Sequence, residues 1–175
     1  MILKLVRTPG IYLVGFMGSG KTTVGRILAD RMGWNFVDLD AEIEAEQKTV
    51  IAAIFDQCGE EHFRQIETQA IRQRVHQVRA GCPTVIALGG GAFLREENFD
   101  LLEDHGVTVW LDCPLEMARG RLEGTTHRPL ARDFEAFAVL YEARRAGYAR
   151  ADYRIEIRSN DPLEAVAAIE ALPIF

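Results

Sequence analysis

Gly15-Phe16-Met17-Gly18-Ser19-Gly20-Lys21-Thr22 is the stretch that decides the fold. It fits G-x-x-x-x-G-K-[ST] at every fixed position. The residues before it, Ile11 to Val14, form a short apolar run that stops at a glycine and reads as a buried strand. The residues after it, Thr22 to Met32, place Val24, Ile27 and Leu28 on one helical face, and Gly33 ends the helix. A glycine-rich turn between a strand and a helix curls its backbone N–H groups inward and binds a polyphosphate. In that mechanism Lys21 reaches the β- and γ-phosphates and the Thr22 hydroxyl coordinates magnesium. The motif therefore predicts nucleoside triphosphate binding.

The alternation continues outward from the motif. Further strands are expected at Asn35 to Asp38, Thr84 to Leu88, Val107 to Leu111 and Tyr153 to Ile157. Helices are expected over Ala41 to about Arg79 with a break near Cys58-Gly59, and over Phe93 to His105, Pro114 to Leu122, Phe134 to Ala149 and Pro162 to Leu172. Glu123 to Asp133 is polar, lacks periodicity and reads as a mobile loop. Five short strands separated by helices predict a three-layer α/β fold, with a parallel sheet covered by helices on both faces. Ligands of such sheets bind at the C-terminal ends of the strands.

The chain has 175 residues, 48% hydrophobic and 26% charged, which predicts one globular domain over 1–175 with a full core. No apolar run approaches a membrane span, and Met1 to Gly10 is too short and interrupted for a secretory signal, so a cytoplasmic protein is expected. A net charge of -6 argues against nucleic acid or anionic membrane as partner. Cys58, Cys82 and Cys113 are odd in number and widely spaced, which fits small buried hydrophobes rather than a disulfide or zinc site. Apart from Lys4, Lys21 and Lys48 the basic residues are all arginine, the side chain suited to bidentate capture of carboxylate or phosphate.

Four further constellations lie near the predicted strand ends. Asp38 and Asp40 sit on the same side of an extended chain. If the second strand neighbours the first, both approach the metal and the γ-phosphate; otherwise Asp40 is a helix cap before Ala41-Glu42-Ile43-Glu44. Arg64 and Glu67 share a helix face, either as a surface ion pair or with Glu67 orienting Arg64 for an anionic substrate. Gly89-Gly90-Gly91 follows the third strand, as a turn or as a place where a ligand approaches the backbone. No acid ends that strand, which leaves the metal to Asp38 and Asp40. Arg128-Pro129-Leu130 lies in the polar loop, where an arginine closing over ATP would neutralise the transferring phosphoryl group.

Taken together, from about Ile11 to Pro162, these motifs resemble shikimate kinase. The resemblance implies a five-stranded P-loop kinase of the nucleoside monophosphate kinase type, with a mobile lid near 123–133 and a substrate-binding helical segment near 41–79. It implies transfer of the ATP γ-phosphoryl to the 3-hydroxyl of shikimate, in the route to chorismate and the aromatic amino acids. Lys21, Asp40 and Arg128 are implied as catalytic residues. Gly18, Ser19, Gly20, Lys21, Thr22, Thr23, Arg121, Arg128 and Asn160 are implied to hold ATP, and Thr22 and Asp38 to hold Mg2+. Asp40, Arg64, Gly89, Gly90, Gly91 and Arg144 are implied to hold shikimate. A monomer is expected. The alternatives are another P-loop small-molecule kinase of gluconate or nucleoside monophosphate type, or a non-catalytic ATP switch.

Three departures from the family pattern stand out. Arg144-Arg145-Ala146-Gly147-Tyr148 replaces R-x-P-L-Y, with the tyrosine spacing selecting Arg144. Ala131 follows Arg128-Pro129-Leu130 in place of a second leucine. Glu46-Gln47-Lys48-Thr49 lacks the usual glycine, so different packing is expected there.

Overall fold

The computed structural model describes residues 10–122 and 134–174. Five strands form one parallel sheet: β1 (Gly10–Val14), β2 (Asn35–Asp38), β3 (Thr84–Ala87), β4 (Val107–Asp112) and β5 (Tyr153–Glu156). Their order across the sheet is β2-β3-β1-β4-β5. The helices are α1 (Lys21–Met32), α2 (Leu39–Gln47), α3 (Ile51–Cys58), α4 (Glu60–Arg79), α5 (Glu96–Glu103), α6 (Leu115–Leu122), α7 (Phe134–Tyr148) and α8 (Pro162–Glu170). A short 3-10 turn, Ala92–Leu94, precedes α5.

The three central strands, β1, β3 and β4, are buried on both sides because helices cover both faces, while the edge strands β2 and β5 are partly exposed. Along β1 the side chains alternate. Ile11 and Leu13 pack with Val24 and Leu28 of α1 and with Val166 and Ile169 of α8. Tyr12 and Val14 face the opposite layer, with Leu39, Ile43, Ile71 and Phe137 from α2, α4 and α7. The predicted three-layer architecture is what the structure shows. Among the described residues no helix is long and apolar enough to cross a membrane.

Several expectations need correction. β2 pairs with β3, and β3 lies between it and β1. The first and second strands are therefore not neighbours. The Asp38-Leu39-Asp40 segment is not extended, since α2 begins at Leu39 and the Asp38 side chain caps it, accepting from the Ala41 N–H at 3.3 Å. The cap is thus Asp38, and Asp40 lies in the first helical turn. The run to Arg79 breaks twice, at 48–50 as well as at Gly59. The predicted helix from Phe93 is a 3-10 turn followed by α5. Cys113 is buried as expected, but Cys58 and Cys82 are exposed.

The first of those breaks explains the missing glycine. Lys48 closes α2 with φ 54° and ψ 31°, the left-handed conformation that a glycine adopts freely. Its N–H bonds the Glu44 carbonyl, and the Glu44 carboxylate accepts from the Ile51 N–H at 2.9 Å, starting α3. The turn is that of a glycine, carried by a side chain that pays about 1–2 kcal/mol for it. Lys48→Gly should therefore raise thermal stability despite the added freedom of the unfolded chain. A gain of about 1–4 °C in Tm is expected for a net stabilisation near 0.5–1 kcal/mol. A lower Tm in differential scanning calorimetry would overturn this.

Candidate active site

The loop from Gly15 to Gly20 wraps the tip of β1 before α1 begins. Gly18 and Gly20 have φ of 79° and 97°, which only glycine adopts without strain. A side chain at Gly18 would also strike the Ala118 carbonyl of α6. The Lys21 ammonium donates to the Gly15 carbonyl at 2.8 Å and to the Phe16 carbonyl at 3.0 Å. It lies across the loop that it would serve.

The Thr22 hydroxyl donates to Asp38 Oδ2 at 2.5 Å. Although β2 and β1 are separated by β3, Asp38 at the tip of β2 still reaches the first turn of α1. The two oxygens form a hard donor pair beside the phosphate loop, the chemistry that suits magnesium. Among the described residues no three His, Cys, Asp or Glu side chains cluster as a metal cage.

On the other side of Gly20, the Arg121 guanidinium bridges two segments. It donates to the Gly18 carbonyl at 3.1 Å, the Ser159 carbonyl at 3.2 Å and Asn160 Oδ1 at 3.0 Å. A small cavity of about 120 Å3 opens there between Gly20, Thr23, Arg121, Asn160 and Pro162. A larger cavity of about 570 Å3 runs from Gly18, Lys21, Thr22 and Thr23 to Asp38, Asp40 and Gly90. Ser19 is buried beneath the loop.

The glycine run after β3 brings the remaining residues together. A Cβ at Gly89 would lie 2.7 Å from Asp40 Oδ1 and 2.9 Å from Glu67 Oε1. At Gly91 it would lie 2.5 Å from Arg64 Nη2, and at Gly90 3.2 Å from Arg144 Nη1. No residue larger than glycine fits at 89 or 91 without displacing these side chains. The backbone is thus bare where two guanidinium groups and two carboxyl groups converge. Asp40, Arg64 and Arg144 share this end of the sheet with Lys21. Arg128 belongs to 123–133, outside the described residues, as does the whole predicted lid.

Arg64 and Glu67 are not a surface pair. Glu67 is 1% exposed and accepts from Arg64 Nη1 at 2.8 Å, while its Oε1 is buried and finds no hydrogen-bond partner among the described residues. Burial drives the Glu67 carboxyl above its ordinary range; Arg64 draws it back, and Asp40 adds repulsion.

The choice of Arg144 over Arg145 also has a physical basis. Arg145 is held by Asp112, at 2.8 and 3.2 Å, and Arg154 grips the same carboxylate at 2.6 Å. Arg144 instead lies over the Phe16 ring, 5.8 Å from its centroid, beside Gly90. Sequence reasoning missed Asp112 altogether; an acid ending a strand, opposite arginines on α7 and β5, leaves no local signal. It also missed what Tyr148 does. The buried phenol donates a short hydrogen bond to the Gly90 carbonyl, and burial pushes its pKa up to about 12, so the donor stays protonated.

With this geometry in place, comparison with known proteins is decisive. The shikimate kinase family model matches residues 17–171. The chain belongs to the shikimate kinase family. A shikimate kinase of Persephonella marina is 40% identical over 160 residues, spanning 91% of this chain and 95% of the relative. One from Synechococcus elongatus is 41% identical over 169 residues, 93% of this chain and 86% of the relative. Among solved structures, the Acinetobacter baumannii shikimate kinase in complex with shikimate superposes with a TM-score of 0.87 at 33% identity, covering 97% of this chain and 95% of that one. A gluconokinase from Sinorhizobium meliloti, at 18% identity and TM-score 0.58, covers 92% of this chain and 89% of its own and shares the fold alone.

The buried carboxyl generates a pH prediction. Unfolded, Glu67 ionises near 4.5; folded, it does so at a higher pH. Between the two values the folded state binds the extra proton, so Glu67's contribution to stability is fullest below the unfolded value and is lost as pH rises through the folded one. Glu67→Gln removes that slope. The Tm of the variant should decline less than that of the parent on raising the pH from about 4.5. Parallel Tm profiles would refute the shift.

Proposed function

We propose that this chain transfers the γ-phosphoryl group of ATP to the 3-hydroxyl of shikimate, forming shikimate 3-phosphate and ADP, with the residues of the glycine-lined site in the roles below. The observation that carries this reading is the convergence of Asp40, Arg64 and Arg144 on Gly89–Gly91, beside the cavity shared with Lys21 and Thr22. A carboxylate with neighbouring hydroxyls needs guanidinium groups on one side and an acceptor on the other.

Arg64 and Arg144 hold the shikimate carboxylate, and the Gly90 backbone, fixed by Tyr148, lies against the ring. That leaves the hydroxyl edge toward Asp40 and the phosphate loop. Asp40 orients the 3-hydroxyl and takes its proton as the oxygen bonds to the γ-phosphorus. The bond from that phosphorus to the β–γ bridging oxygen breaks, and ADP departs with the electron pair. Lys21 turns from the Gly15 and Phe16 carbonyls onto the phosphates, where it opposes charge that grows in the transition state. Gly18, Ser19, Gly20 and Thr23 line the phosphate path, while Arg121 and Asn160 serve the adenine side. Thr22 and Asp38 would hold magnesium, which when bound neutralises phosphate charge and fixes its geometry. Arg128 is assigned the closing arginine from the family pattern. One chain supplies every group named, so a monomer suffices for this mechanism.

Coupled assays with shikimate, gluconate and AMP as acceptors should give turnover with shikimate; turnover with gluconate and none with shikimate would overturn the substrate. Lys21→Ala should abolish transfer, and near-normal kcat would remove Lys21 from its role. Arg64→Ala should raise the KM for shikimate roughly tenfold or more, since a charged hydrogen bond is worth about 1.5–3 kcal/mol. ATP binding, measured by calorimetry, should change far less; the opposite pattern would move Arg64 to the nucleotide side.

A further inference from the structure

In the fold as described, Arg64 already holds a second carboxylate. Its Nη1 bonds Glu67, while Nε and Nη2 face Glu60 Oε1 at 3.4 and 3.2 Å. The two partners differ sharply. Glu67 is buried, and its bond is short, at 2.8 Å. Glu60 lies one helical turn before Arg64, its side chain is 66% exposed, and its contacts are long. It stands at the mouth of an open cavity of about 540 Å3 bounded by Arg64, Gly91, Leu94 and Arg144.

A guanidinium that grips a carboxylate in two-pronged fashion needs two adjacent N–H groups. Glu67 occupies Nη1 from below and is locked by burial. The remaining edge, Nε with Nη2, is the one that Glu60 covers. The neighbouring glutamate cannot replace Glu60 there, because Glu61 is bound to Arg95 at 2.9 and 3.2 Å.

We propose that Glu60 is a placeholder for the substrate carboxylate, covering the binding edge of Arg64 until shikimate displaces it into solvent. Glu67 fixes the guanidinium, and Glu60 competes for it. This rests on Arg64 being the carboxylate-gripping residue of the proposed mechanism. The apparent affinity for shikimate is then lowered by the fraction of molecules in which the exposed pair is closed. The placeholder also screens a partly buried cation that would otherwise attract any small anion.

The test is Glu60→Gln, which keeps the shape and removes the charge. Its KM for shikimate should fall about two- to fivefold, the factor an exposed ion pair is worth, with no matching change in the KM for ATP. Direct titration of the holoenzyme with shikimate should show the same gain. Chloride and sulfate, as competing anions, should inhibit the variant more strongly than the parent. A role in merely steadying Arg64 predicts the reverse, since loss of the charge would then raise the KM. An unchanged or higher KM for shikimate in a variant of near-parental Tm overturns the proposal. Arg64→Ala in parallel separates the two levels. If it raises the KM and Glu60→Gln does not lower it, only the placeholder fails; if it leaves the KM unchanged, the carboxylate assignment fails with it.

Discussion

The site depends on a stretch of backbone with no side chains. Parallel pairing of β3 between β1 and β2 delivers Gly89–Gly91 to the middle of the sheet's C-terminal edge. Helices α2, α4 and α7 all cover that edge from one face. Each sends a charged side chain toward it, and any side chain at 89 or 91 would occupy the same space as those groups. The glycines therefore have a packing purpose besides the ligand-facing one we propose. They let Asp40 and Glu67 approach from one direction and Arg64 from another. Without them, these side chains would be pushed aside and the charges would lose their common centre.

Bringing charge to that centre is costly, and the arrangement shows how the cost is divided. A carboxylate as deeply buried as Glu67 loses most of its hydration, and a single ion pair recovers only part of it. The unpartnered Oε1 and the upward pull on the acid's proton affinity express the remainder. The result is a guanidinium held firmly on one edge and loosely on the other. Rigid placement on one side with exchangeable partners on the other is what a binding arginine requires, because little conformational freedom is left to lose when substrate arrives.

Much of this was legible from local patterns. The phosphate loop, its strand and its helix follow from one eight-residue motif, and alternation of apolar runs gave the parallel sheet and its two helical layers. What escaped was whatever depends on strand order. The D-x-D pair reads as extended because nothing in Asp38-Leu39-Asp40 reveals that the helix starts between the acids. The order β2-β3-β1 cannot be read from spacing, yet it determines how Asp38 meets Thr22. For Arg64 and Glu67 the spacing leaves a surface pair and an orienting pair both open, since i, i+3 spacing is the same whether the face meets water or a sheet edge. At Lys48 the missing glycine suggests different packing, yet the left-handed turn is formed between the two helices it joins, against the residue's own preference.

The departure at Ala146-Gly147 shows how the remaining pieces compensate one another. A side chain at Gly147 would collide with Leu94, which reaches across from the turn after the glycine run. The space beside residue 147, where the family pattern has leucine, is here filled by Leu94. The proline-leucine pair is then not needed to orient the helix, because Asp112 fixes it through Arg145 and Tyr141 bonds the Cys113 carbonyl at 2.9 Å. Tyr148 ties the helix end to Gly90. Arg144, on the same helix, lies beside Gly90 and over the Phe16 ring. The C-terminal end of this helix is in this way held by residues drawn from β4, from the glycine run and from the turn that precedes α5.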